Sequence, residues 1–258
     1  MPTESRLHFN ASEAANFLRP PVVLIHGAGG HHLYWPPQIR RLHDQRVFAL
    51  DLPGHGKSDG IGRHRVADYV QDVLEFLNER RLNAAVWIGH SMGGAIALEA
   101  AMRFPQRVLG LVLIGSGARL RVDPMILRAA TQEGSFPAAI RLIAARSFAA
   151  ATAPRLKELA SQRMEEIRPS VLLGDLLACD EYDVMDGLAS VRAPTLIVCG
   201  SEDQMTPPRF SSLLHERIQG SGLQLIAHAG HMVMLEKPDE VAAALEGFLG
   251  AIPYEPGR

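Results

Sequence analysis

Short runs of apolar and β-branched residues recur at 22–25, 47–50, 85–89, 108–114, 195–199 and 223–227, and longer helical patterns fill the intervals. Alternation of that kind is satisfied by a mostly parallel sheet with helices on both faces, because each parallel strand must be reached through a crossover. The helical intervals are clear where periodicity is strong: Val66, Tyr69, Val70, Val73, Leu74 and Leu77 follow the i, i+3, i+4, i+7 template. A last amphipathic helix is expected over 240–249, entered through Pro238-Asp239. The alternation breaks once. Between 118 and 190 no strand is predicted, only helix-like segments punctuated by Pro124, Pro137, Pro154 and Pro169. Roughly seventy residues is far longer than an ordinary connection between core strands. Its apolar content, including Ile126, Phe136, Ile140, Ile143 and Phe148, is too high for a solvated loop. The expected organisation is therefore an α/β core formed by residues 1–117 and 191–258, with a helical cap, 118–190, inserted between core strands.

The core contains one junction that points to chemistry. Gly89-His90-Ser91-Met92-Gly93 places a serine between an apolar strand, 84–88, and an alanine-rich helix former, 94–101. A sharp strand-to-helix turn lifts a serine hydroxyl clear of a sheet, and it needs positive φ at the turning residue and no side chains on its neighbours. Gly56-Lys57-Ser58-Asp59-Gly60 carries the same pattern, but turn-rich sequence precedes it and no helix starts directly after it. Ser91 is thus the candidate nucleophile, and Ser58 is expected to be a loop residue. Met92 opens the helix, so its backbone N–H points at whatever Ser91 attacks.

A serine hydroxyl needs a base. Of the eleven histidines, His231 follows the strand at 223–227 with a glycine before it, where a loop at the carboxyl end of the sheet belongs. His228 is its rival, closer to the strand end. A carboxylate to orient the imidazole is offered by the loop Gly200-Ser201-Glu202-Asp203 after the strand at 195–199. Asp203 is preferred there, and Glu202 is expected to cap a helix or face solvent.

The order Ser91, Asp203, His231, each after a successive strand, resembles the α/β-hydrolase fold superfamily. Gly200-Ser201-Glu202-Asp203 and Gly230-His231 match its acid and histidine motifs, and His26-Gly27-Ala28-Gly29-Gly30 looks like its oxyanion loop. Asp51-Leu52-Pro53-Gly54-His55-Gly56-Lys57-Ser58-Asp59 looks like the family's turn after the following strand. The likeness runs from about Pro21 to Leu249, with the cap in the family's usual place. It implies an oxyanion hole made by the backbone N–H groups of Ala28 and Met92, and structural roles for the rings of His26 and His90. No cofactor is expected, and no metal, because His31-His32 is adjacent rather than at i, i+4 and no His-Glu-x-x-His occurs. The function implied is hydrolysis of carboxylic esters with small to medium apolar acyl groups, through an acyl-enzyme. The alternatives are a C–C bond hydrolase acting on dienoate ring-fission products with the same triad, or a non-catalytic ligand-binding member of the fold.

Composition narrows the partners. A formal net charge of −2 gives no broad electrostatic footprint for nucleic acid or an anionic membrane. Cys179 and Cys199, without Cys-x-x-Cys spacing, suit neither a zinc cluster nor a disulfide framework. Phosphate-binding and dinucleotide fingerprints fail at Asp51, His32 and Arg65, where glycines are required. With no membrane-length apolar run and no signal peptide, the expected address is the cytoplasm and the expected partner a small-molecule ester. The sequence does not specify an oligomeric state.

Overall fold

The computed structural model describes residues 7–12, 19–132 and 134–254. Among them the core is a seven-stranded sheet ordered β1-β3-β2-β4-β5-β6-β7. The strands are β1 (Phe9–Ser12), β2 (Val22–Ile25), β3 (Val47–Leu50), β4 (Ala85–His90), β5 (Val108–Ile114), β6 (Thr195–Gly200) and β7 (Gly222–Ile226). All pairings are parallel except that of β1 with β3. The six strands expected from sequence are present within a residue or two. The antiparallel edge strand β1 is not among them, because its four residues, Phe-Asn-Ala-Ser, show no apolar run and hold two half-exposed and two exposed positions.

The period of two along each strand divides the sheet's side chains between two layers. Val23, Ile25, Trp87, Leu111, Leu113 and Ile197 join one buried cluster, and Val22, Leu24, Val86, Ile88, Val112 and Ile114 join another. The first layer is closed by α2 (Val66–Glu79), α3 (Met92–Arg103) and Leu214 of α8 (Pro208–Arg217). The second is closed by Ile39 of α1 (Pro37–Arg40) and by Val241, Leu245 and Leu249 of the final helix. That helix is α10 (Pro238–Gly250), with a single turn, α9 (Val233–Glu236), before it.

Between β5 and β6 lie α4 (Pro124–Thr131), α5 (Phe136–Ser147), α6 (Pro154–Glu165) and α7 (Pro169–Glu181). Four of the expected prolines sit in the first turn of these helices, where a missing N–H costs nothing. Ile126, Ile140, Ile143, Leu172 and Leu176 form a third, smaller buried cluster of their own. Among the described residues no strand occurs in this segment; an isolated bridge joins Arg119 to Asp183 at its base. No helix among the described residues is long and apolar enough to cross a membrane, and both cysteines are buried and unpaired.

The first turn of α3 packs closely on the ends of the central strands. A Cβ on Gly93 would lie 2.1 Å from the Ile25 carbonyl oxygen, and one on Gly89 would lie 2.0 Å from that of Gly93. These obstacles are backbone, so no rotamer relieves them. Gly93→Ala is expected to lower stability by about 3 kcal/mol or more, read as a Tm lower by roughly 5 °C or more in a thermal melt. An unchanged Tm would contradict the packing described.

Candidate active site

Ser91 turns the chain from β4 into α3 with φ 54° and ψ −116°. That conformation costs on the order of 1–3 kcal/mol for a residue with a side chain, and its backbone groups hold it in place. Its N–H donates to the Ile114 carbonyl at 2.9 Å. Its own carbonyl accepts from the N–H groups of Gly94 and Ala95 at 2.9 and 3.2 Å and from the Ser116 hydroxyl at 2.8 Å. Ser58 differs entirely. Its hydroxyl donates to the Asp51 carbonyl at 2.6 Å and accepts from the His8 N–H at 2.8 Å, so it staples a loop.

Asp203 and His231 meet at the carboxyl ends of β6 and β7, with Nδ1 of His231 donating to Oδ2 of Asp203 at 2.9 Å. Both are almost fully buried. Oδ1 of Asp203 also accepts from the N–H groups of Met205 and Thr206, both at 2.8 Å, and Oδ2 accepts from the Thr206 hydroxyl at 2.8 Å. Burial pushes this carboxyl up, but the His231 ring and the Thr206 donors outweigh it and hold the group below its ordinary range. With Nδ1 engaged by the carboxylate, Nε2 is the ring nitrogen of His231 left to exchange a proton. The loops can approach because Gly200 and Gly230 lack side chains: a Cβ on Gly200 would lie 2.2 Å from the Gly230 carbonyl oxygen.

Neither rival belongs here. His228 is an exposed ring lying 3.6 Å from Glu202, and Glu202 otherwise accepts from the Ala150 N–H at 3.3 Å. Thr206 was not visible as a site residue in the sequence, although a hydroxyl three positions after a loop aspartate is the signal of an Asx-type turn. Glu236 was likewise missed. It accepts from the N–H groups of Gly230 and Ala149, both at 2.9 Å, and from the Thr152 hydroxyl, binding the His231 loop to the chain after α5.

The loop at 26–30, expected from sequence to carry an oxyanion donor, is fixed one peptide at a time. The Gly27 carbonyl accepts from Nδ1 of His26 at 2.8 Å and from the Gly30 N–H at 3.0 Å. In a trans peptide the following N–H points the opposite way, so these two bonds set the direction of the Ala28 N–H. Nε2 of His26 accepts from the Leu52 N–H at 3.1 Å. Burial and the nearby His55 hold the His26 pKa well below its usual value, which keeps the ring in this neutral form. Met92 is the first residue of α3, where backbone N–H groups have no intrahelical acceptor. His90 is also structural: burial, with His231 beside it, pushes it down to about 3. Its Nε2 donates to the His231 carbonyl at 3.0 Å, and the two rings lie with centroids 4.7 Å apart, tilted by 51°.

Ser91, His231, His90 and Ala28 line one small cavity of about 50 Å³. Ser91 and Ala28 also border a larger one of about 390 Å³, walled by Leu120, Val122, Ile126 and Leu176, with Arg121 and Arg146 among its charged lining residues. For a metal, the described residues offer His8, His32 and Asp51, whose ligand atoms lie within 4.8 Å of one another. Hydrogen bonds already fill that set. Asp51 accepts from both Nδ1 atoms at 2.7–3.0 Å and from the N–H groups of His32 and Lys57 at 2.7 and 3.0 Å.

Residues 22–244 match the model of the alpha/beta hydrolase family. The chain is 30% identical over 244 residues to a pimeloyl-[acyl-carrier protein] methyl ester esterase of Pectobacterium carotovorum, covering 89% of this chain and 94% of that one. It is 28% identical over 239 residues to 3-oxoadipate enol-lactonase 1 of Acinetobacter baylyi, covering 90% of each. Among solved structures, a thermophilic esterase superposes with a TM-score of 0.82 at 33% identity, over 96% of this chain and 99% of that one.

The carboxylates make acid stability predictable. Burial raises the Asp51 carboxyl, but its N–H donors prevail and bring it to about 2. A depressed folded pKa gives stability that is present above about pH 4, the ordinary aspartate range, and lost as pH falls through the folded value. Asp51→Asn should therefore be less stable than wild type at pH 7, with the gap in denaturant midpoint closing between about pH 4 and 2. A gap independent of pH would contradict this assignment.

Proposed function

The chain belongs to the alpha/beta hydrolase family, and on that footing we propose that it is a serine hydrolase of carboxylic esters. Ser91 Oγ attacks the ester carbonyl while Nε2 of His231 takes its proton; Asp203 holds the ring and stabilises the imidazolium. The N–H groups of Ala28 and Met92 receive the oxyanion. Collapse of the tetrahedral intermediate expels the alcohol, which takes the proton back from His231. Water, deprotonated by the same ring, then releases the acid from the acyl-enzyme. The observation that carries this reading is the Asp203–His231 pair, buried beside the cavity that also holds the strained Ser91.

The names of two relatives, a methyl ester esterase and an enol-lactonase, support an ester bond as the target. A pair of backbone N–H donors beside Ser91 suits a tetrahedral oxyanion, loss of one such donor typically costing about 2.7–4 kcal/mol of barrier. We read α4–α7 as a cap over the serine. The larger cavity, bounded by Leu120, Val122, Ile126 and Leu176, then receives a small to medium apolar acyl group.

A panel of p-nitrophenyl esters from acetate to dodecanoate tests this. Turnover should peak at short to medium chains, and Ser91→Ala should lower kcat by roughly 10³-fold or more. Turnover undiminished in Ser91→Ala, or none on any ester, would contradict the proposal. Ile126→Phe, which fills the larger cavity from its apolar wall, should move the optimum toward shorter acyl chains; an unmoved optimum would remove that cavity from the acyl site.

A further inference from the structure

One buried carboxylate lies outside the catalytic group and touches the loop that serves it. Asp175 projects from α7 and is fully buried. Its Oδ2 accepts from the Gly29 N–H at 2.8 Å and from Nε2 of His55 at 2.8 Å, and its Oδ1 accepts from the Tyr69 hydroxyl at 2.5 Å. One side chain thus joins α7 to the oxyanion loop, to the turn after β3 and to α2. Nδ1 of His55 donates to the Pro53 carbonyl at 3.1 Å, so both ring nitrogens are donors. Burial alone would disfavour that imidazolium, but the charge and hydrogen bond of Asp175 outweigh it and raise the His55 pKa. Tyr69 is held in turn by accepting from the Arg63 N–H at 2.9 Å.

The Gly29 N–H belongs to the peptide that follows Ala28. Two bonds to the Gly27 carbonyl fix the peptide before Ala28, and Asp175 fixes the one after it. Gly29 has φ +66°, a conformation in which the plane of that peptide is otherwise loosely determined. The helix carrying Asp175 is closely seated. A Cβ on Gly174 would lie 2.7 Å from the Arg63 carbonyl oxygen, and one on Gly29 would lie 3.0 Å from Leu172.

We propose that Asp175 is a positioning residue for the oxyanion hole: by gripping the Gly29 N–H from α7, it keeps the Ala28 N–H aimed at the tetrahedral oxygen only while α7 is docked. The inference rests on the ester-hydrolase reading of Ser91 and Ala28. It makes the helical segment part of the catalytic geometry, since displacing α7 releases the loop. The substrate-binding walls and the oxyanion donor are thereby coupled through a single carboxylate.

The test compares wild type with Asp175→Ala, Asp175→Leu (similar volume, no acceptor), Asp175→Asn and Tyr69→Phe on one p-nitrophenyl ester. Thermal melts confirm the folded state. In the alanine and leucine variants kcat should fall roughly 10- to 100-fold, short of the 10²–10³-fold loss of a whole oxyanion donor, with KM within about threefold. The Ki of an alkyl boronic acid, which becomes tetrahedral on Ser91, should rise by the same factor. Asparagine retains an acceptor for Gly29 and should keep turnover within about threefold, as should Tyr69→Phe, which leaves Oδ2 untouched. Unchanged kcat in a folded alanine or leucine variant would overturn the proposal. So would a loss in asparagine equal to that in alanine, or failure of both apolar variants to fold, which would assign Asp175 to the fold alone. Absence of wild-type turnover would instead refute the ester-hydrolase reading.

Discussion

The approach of α3 to the ends of β2 and β4 is the contact on which the site depends. Gly89 and Gly93 let backbone meet backbone there, and Gly94 lets Ser116 close in, with 2.5 Å between its Cβ and a side chain at 94. That proximity forces the turn at Ser91, directs the first N–H groups of α3 toward the sheet edge, and places His90 where it can hold the His231 backbone. A serine in ordinary helical geometry would have its hydroxyl on the helix surface. Here three backbone hydrogen bonds and the Ser116 hydroxyl hold Ser91 in its strained conformation.

Around that point the molecule uses neutral and charged groups for different purposes. His26 and His90 are buried and held neutral, and each donates to one carbonyl, so they act as rigid loop ties. Asp51 and Asp203 are held ionised by converging N–H and hydroxyl donors. These carboxylates organise the turns at the carboxyl edge of the sheet by gathering backbone N–H groups together with buried imidazole and hydroxyl donors. Asp175 does the same across the junction between the core and the helical segment.

Much of this was legible in the sequence because it is local. The strand-turn-helix around Ser91, the order of the acid and histidine loops, and the helix-only segment between β5 and β6 all follow from periodicity and from glycines at crowded turns. What was not legible depends on contacts between distant residues. Asp175 sits on a helix whose apolar neighbours, Leu172 and Leu176, gave no sign that a carboxylate among them would be buried. Its partners lie 106 to 146 residues away. β1 was missed for a different reason: as an edge strand, it is specified by pairing with β3 rather than by its own side chains.

The most direct test of the account is where, and how fast, a fluorophosphonate reacts. Mass spectrometry of the digested adduct should place the phosphonyl group on Ser91, and in His231→Ala the rate of labelling should fall by roughly 10³-fold or more with the fold intact. An adduct on Ser58 or Ser116, or labelling of Ser91 that proceeds equally fast without the imidazole, would contradict it.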